Sequence, residues 1–248
     1  FSATMPPKIR DLAKKILHEP EQINISISKP AAGVTQTAYI VYSPQKMALL
    51  RKVLNGAVAD SILIFSSTKD KVKELERDLQ KLHYNAAAIH SDLAQDERVE
   101  VLRRFKNKTL RILIATDILS RGIDIDSIGI VINYDVPRDA EDYVHRVGRT
   151  ARASTTGLAL TFVNTEDQRK FQRIEQLIGS EIPKIALPAE LGEGPAYEPE
   201  KHSDRPKGKG GGGRGHGGGG KSGGGKRPFN KGGGGGAKKP HHHGPKKD

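Results

Sequence analysis

Ile112-Leu113-Ile114-Ala115-Thr116-Asp117-Ile118-Leu119-Ser120-Arg121-Gly122-Ile123-Asp124 opens with four apolar residues in a row and then turns polar. A strand with one wet face alternates apolar and polar side chains. A continuous apolar run is the pattern of a strand covered on both faces, as in a parallel sheet between helices. Ile62-Leu63-Ile64-Phe65, followed by Ser66-Ser67-Thr68-Lys69, repeats the design. Outward from these two segments, the chain from Val34 to about Ile182 alternates short apolar strands with amphipathic helices. Strands are predicted at 35–41, 61–65, 85–89, 111–115, 128–133 and 157–163, and helices near 44–55, 69–82, 93–106, 139–147 and 166–178. Ser43-Pro44 supplies an N-cap and a first helical position; Val72, Leu75, Leu79 and Leu82 make the apolar stripe of the second helix. The alternation predicts an α/β fold, a parallel sheet with helices on both faces. Ligands of such open sheets bind beyond the C-terminal ends of the strands. Ser66–Lys69 and Thr116–Asp124 each begin at such an end.

His145-Arg146-Val147-Gly148-Arg149-Thr150-Ala151-Arg152 carries three arginines at three-residue intervals and no acid. Like charges repel unless an anion lies between them, and the planar guanidinium donates a fork of hydrogen bonds that matches phosphate oxygens. The segment therefore reads as a phosphate clamp rather than a solvated face, where acids would be interspersed.

The formal net charge of +12 is unevenly placed. Residues 201–248 carry a net +11 and the first 200 residues a net +1, so a nearly neutral body is joined to a cationic tail suited to a polyanion such as RNA. Residues 183–200 are rich in Pro and Glu, and 201–248 in Gly, Lys and His; the whole of 183–248 is expected to be a disordered Gly/Lys-rich tail, with too little apolar surface to offset its ordering entropy. Gly215-His216-Gly217-Gly218-Gly219-Gly220-Lys221-Ser222 spells a phosphate loop, but glycine-rich sequence flanks it where a strand and a helix are required. His241-His242-His243 reads as polar filler or a weak metal binder, and no metal site is expected. The chain has no cysteine, which excludes disulfides and thiolate metal sites and fits a reducing, cytoplasmic setting. No apolar run approaches the ~20 residues needed to span a bilayer.

Five segments in order resemble the signature motifs of the DEAD-box RNA helicases, members of helicase superfamily 2. Phe1-Ser2-Ala3-Thr4-Met5-Pro6 is similar to the Ser-Ala-Thr motif near the end of that family's first RecA-like domain. Ile64–Lys69 is similar to the fourth motif, and His90-Ser91-Asp92-Leu93-Ala94-Gln95-Asp96-Glu97-Arg98 to the His-Gly-Asp … Gln-x-x-Arg element, with Ser91 where Gly is usual. Ala115–Asp124 and His145–Arg152 resemble the fifth and sixth motifs. The tail resembles those of bacterial RhlE-type members. The resemblance implies that residues 1–29 end a first RecA-like domain, with a helix carrying Ile9, Leu12, Ala13, Ile16 and Leu17 on one face and a strand at Ile23, Ile25 and Ile27. Residues 30–33 would be the interdomain linker and 34–182 the second RecA-like domain. It further implies that the Gln motif, the Walker A lysine and the Asp-Glu-Ala-Asp box lie upstream, so that this chain alone does not hydrolyse ATP.

Site residues follow from the same resemblance. Arg149 and Arg152 are expected to act as arginine fingers on the phosphates of ATP, whose Mg²⁺ the first domain would hold, and Asp124 to accept a hydrogen bond from the ribose. Ser2, Thr4, His145 and Arg146 are expected to couple the two domains. Thr68, Ser91, Asp92, Gln95, Arg98, Thr116 and Gly122 are expected to contact RNA; small hydroxyls, loop amides and a guanidinium suit a sugar–phosphate backbone. Asp92, a carboxylate, would orient a neighbour or accept from a sugar hydroxyl. Phe65 is either core or a platform for an arginine. The implied protein is a monomeric, cytoplasmic, ATP-dependent RNA helicase that partners RNA and its own first domain and no membrane. The alternatives are a stand-alone RNA-binding adaptor and a superfamily 2 DNA helicase.

Overall fold

A computed structural model of the chain describes residues 7–18, 33–117, 128–150 and 157–201. Ser2, Thr4, the strand expected at Ile23–Ile27, Gly122, Asp124, Arg152, and the tail with its Walker-like string and histidines lie outside the described residues.

Seven strands, β1 Val34–Ile40, β2 Ile62–Phe65, β3 Ala86–Ile89, β4 Ile112–Ala115, β5 Ile130–Asn133, β6 Gly157–Val163 and β7 Lys184–Ile185, form one sheet in the order β3-β4-β2-β5-β6-β1-β7. Every pairing is parallel. The RecA-like α/β reading therefore holds. Helices α1 Pro7–Ile16, α2 Lys46–Gly56, α3 Lys69–Lys81, α4 Gln95–Lys106, α5 Ala140–Val147 and α6 Gln168–Ile178 accompany the strands. Leu12 and Ile16 of α1, and Leu17 just after it, are exposed.

The four-residue strands are apolar throughout because each serves two cores. Ile62 and Ile64 of β2 pack with Leu49, Leu50 and Leu54 of α2 and Val72, Leu75 and Leu79 of α3. The alternate residues Leu63 and Phe65 point to the opposite face and pack with Phe105 of α4. Farther along the sheet, Tyr143 and Val147 of α5 and Phe171, Ile174 and Ile178 of α6 close over Ala38, Ala159 and Val163. Thr68 caps α3, its hydroxyl accepting from the Lys71 amide at 3.3 Å. Gly179 ends α6 in the left-handed conformation, φ +71°, that a C-cap favours.

Residues 183–201 depart from the disorder expected of them. Lys184–Ile185 pair with Ala38 and Tyr39 of β1. Leu187 and Leu191 pack against the α2–α3 core, and Tyr197 against the α5–α6 core. The buried Glu175 carboxylate accepts from the Ile182 amide (2.9 Å), Lys184 Nζ (2.5 Å) and Tyr197 Oη (2.7 Å). Gln168 donates to the Ala196 carbonyl and accepts from the Glu198 amide. The segment forms a strap whose few apolar anchors meet prepared partners. A chain ending at 182 is thus expected to melt below one ending at 201. Three half-buried apolar side chains at about 1 kcal/mol each put the difference at roughly 6–12 °C for a domain of this size, readable by thermal denaturation; equal midpoints would mean the strap contributes nothing.

Candidate functional site

Because all strands run the same way, the loops after β2, β3, β4 and β5 leave from one edge of the sheet. β2 sits between β4 and β5, so its loop is flanked by both of theirs. At this switch point the chain leaves a cleft of about 420 Å³. The loop after β2 contributes Ser67, Thr68 and Lys69; that after β3 contributes Ser91; that after β4, Thr116 and Asp117; and that after β5, Val136, Pro137 and Arg138. Arg98 of α4 and Arg146 of α5 complete the lining.

Four expected RNA contacts, Thr68, Ser91, Arg98 and Thr116, thus share one cleft. Arg98 Nη2 donates to the Ser91 carbonyl at 2.9 Å, and its Nε is buried with no hydrogen-bond partner among the described residues. Gln95 opens α4, exposed, and does not line the cleft. Asp92 also stands outside the lining, where it accepts from Lys69 Nζ (2.9 and 3.2 Å) and Lys73 Nζ (2.5 Å). Those hydrogen bonds, from Lys73 first and Lys69 second, hold its carboxyl well below the usual carboxylate range. Of the two roles expected of Asp92, orienting a neighbour is the one with visible partners: it fixes Lys69, which does line the cleft. Ser67 and Lys69 fall in the stretch read from sequence as a binding edge, whereas Val136, Pro137 and Arg138 were not singled out. Pro137 and Arg138 follow a predicted strand end just as Ser66–Lys69 do, and that rule alone would have found them.

Arg146, expected to couple the two domains, is only 1% exposed, and its guanidinium is bound within this domain. Nε and Nη2 fork onto Asp117 at 2.5 and 2.8 Å, while Nη1 donates to Asn133 Oδ1 (3.0 Å) and the Asp135 carbonyl (2.9 Å). Its Cζ lies 4.9 Å from the Phe65 ring centroid. Phe65, fully buried, is therefore both core and platform. The physical reason is position: on the covered face of α5, an unpaired guanidinium would be costly, and five donors facing four acceptors and a ring are not.

Asp135 is the second buried charge at this edge. It is 3% exposed and accepts from Lys46 Nζ (3.0 Å), Ser66 Oγ (2.9 Å), the Ser67 amide (3.0 Å) and Lys71 Nζ (3.3 Å). Burial pushes its carboxyl up, but the Lys46 charge, the Ser67 amide and Lys71 outweigh burial and hold it well below the usual carboxylate range.

His145 and Arg149 are half-buried. α5 spans about 12 Å and carries Arg149 to the far side of the sheet, where its carbonyl accepts from the Ile128 amide at 3.3 Å. Thr150 Oγ1 donates to the Ile128 carbonyl at 2.5 Å, tying this end of the motif just ahead of β5. Arg149 thus follows α5 three residues beyond Arg146, and unlike Arg146 it is not among the residues lining the cleft.

Residues 45–154 match the family described as the helicase conserved C-terminal domain. The chain is 41% identical over 217 residues to the ATP-dependent RNA helicase DbpA of Bacillus subtilis (strain 168), covering 84% of this chain and 44% of DbpA. Among solved structures, it is similar to a DEAD box protein from the hyperthermophile Methanococcus jannaschii, with 39% identity, TM-score 0.59, and 75% of this chain and 50% of that one covered. It is also similar to Saccharomyces cerevisiae Dbp5 bound to RNA and ADP BeF3, with 28% identity, TM-score 0.67 and the same coverages. The chain spans less than half the length of the curated relatives it matches.

Proposed function

We propose that the chain, whose residues 45–154 match the helicase conserved C-terminal domain and which resembles DEAD-box RNA helicases, is the RNA-binding and finger-supplying half of an ATP-dependent RNA helicase. The observation that carries the reading is the convergence of Thr68, Ser91, Arg98 and Thr116 on one cleft at the strands' C-terminal edge. Hydroxyls, loop amides and cations there suit the sugar–phosphate backbone and carry no base selectivity. Arg149, with Arg152 three residues on, would face the phosphates of ATP held by a first RecA-like domain, and Asp124 its ribose. Mg²⁺ belongs to that first domain; among the described residues, no group of three His, Cys, Asp or Glu is placed to hold a metal. The protein would act as a monomer in the cytoplasm, and its Gly-rich basic tail is the feature that supports an RhlE-like subgroup.

The test is reconstitution. This chain alone is expected not to turn over ATP, and joining it to a first RecA-like domain is expected to give RNA-stimulated hydrolysis. Turnover by the isolated chain, or a joined protein indifferent to RNA, would sink the reading.

The tail is expected to add RNA affinity that is independent of sequence and steep in salt. Its net +11 is carried mainly by lysines, and Phe229 is its only aromatic ring, so stacking adds little. If about half of the charges meet phosphates, log K should fall with log salt at a slope near about −4, at ~0.7 per contact. Binding of unrelated single-stranded RNAs, with and without residues 201–248, measures this. Unchanged affinity and slope after deletion would show that the tail does not engage RNA.

A further inference from the structure

Asp135 stands outside the motifs and does not line the cleft, yet it joins several parts of the ligand edge. Its carboxylate holds the loop after β2 through the Ser66 hydroxyl and the Ser67 amide. Its carbonyl holds α5 through Arg146, and Arg146 holds Asp117 in the loop after β4. The loops after β2, β4 and β5 are thereby cross-linked through two buried charges. Thr68 and Lys69, which line the cleft, follow directly on the two residues that Asp135 fixes.

Resting on the RNA reading above, we infer that Asp135 is the positioning residue of the cleft: its carboxylate pins Ser66 and Ser67 so that Thr68 and Lys69 meet the RNA backbone already in place. Lys46 lies on the other side of Asp135 with a different task. It is 3% exposed, donates to Asp135 and to the Tyr134 carbonyl (2.7 Å), and contacts neither Ser66 nor Ser67. Lys46 neutralises the carboxylate; the loop is held by the carboxylate itself. Preorganisation of this kind saves the cost of ordering a loop at the moment of binding.

The two tasks separate experimentally. RNA containing 4-thiouridine is photo-cross-linked to the full chain, and cross-linked peptides are assigned to the cleft (residues 66–69 and 91–98) or to the tail (202–248). Tail cross-links serve as the internal reference, and melting is followed for every variant. Ser66→Ala and Asp135→Asn should lower the cleft-to-tail ratio roughly tenfold, the scale of one charge-assisted hydrogen bond. Lys46→Met should lower the melting temperature at least as much as Ser66→Ala and keep the cleft ratio near wild type. A ratio that follows melting temperature across all three variants would overturn the inference, leaving Asp135 a structural anchor only. A ratio unmoved in folded Ser66→Ala would overturn it as well. Wild type that cross-links through the tail alone would instead remove the cleft reading on which the inference stands, and the inference with it.

Discussion

Arg152→Ala, in the protein carrying its first RecA-like domain, is expected to cut ATP turnover by about 10³-fold or more while RNA affinity changes little. The expectation follows from what a guanidinium does best. Charge builds on the transferring phosphoryl group in the transition state, and a donor placed there lowers the barrier more than it strengthens ground-state binding. A factor of ~10³ corresponds to about 4 kcal/mol, well within what one desolvated guanidinium supplies. The loss should fall on kcat, with KM for ATP raised only modestly. Arg149→Ala should behave similarly, since both residues belong to the same acid-free segment. A variant with normal kcat and a raised KM would reduce Arg152 to a binding contact. RNA affinity is the internal control, because Arg149 does not line the cleft.

The second large effect is on stability. Arg146→Met should destabilise the domain by about 3 kcal/mol, the lower end of the range for breaking a buried pair, because Asp117 remains partly exposed and can recover water. Asn133 and the Asp135 carbonyl, both buried, cannot. For a domain of this size the melting temperature should fall by about 10 °C. Arg146→Lys should recover about half of that: an ammonium keeps the charge but cannot fork onto Asp117 while reaching Asn133 and stacking on Phe65. A melting temperature for Arg146→Met within about 1 °C of wild type would show that the guanidinium is not what holds these loops. The same variant should release Asp117, which lines the cleft, so some loss of RNA affinity is expected alongside.

The sheet was legible in the sequence because its strands are extreme. Ile62–Phe65 and Ile112–Ala115 are apolar at every position, which only a strand covered on both faces needs, and the polar stretches after them marked the binding edge. What could not be read was which polar residues would turn inward. Arg146 sits in a run of charges that resembles a clamp, and nothing in its spacing says that α5 presents it to the core instead of to a partner. Asp135 lies between apolar residues in a short stretch after β5, where a carboxylate looks like an ordinary turn former. The strap was hidden for a different reason. Composition averages over a window, and 183–201 owe their order to three apolar anchors, to partners on α6, and to Gln45 and the α2 core, which lie far away in sequence.

The strap also settles what happens at the side of the sheet where β1 would otherwise lie open. β1 is seven residues long, and without β7 its outward amides and carbonyls would form a ready template for another chain's strand. Lys184–Ile185 occupy part of that template. Beyond them Gly194 lies so close against the Ile40 carbonyl that any side chain there would collide with it. The far end of β1 is thus shielded by bare backbone, and only glycine fits. Loss of the strap therefore does more than weaken the fold: it creates a sticky border, and the shortened domain would be prone to pair border to border with itself in proportion to its concentration.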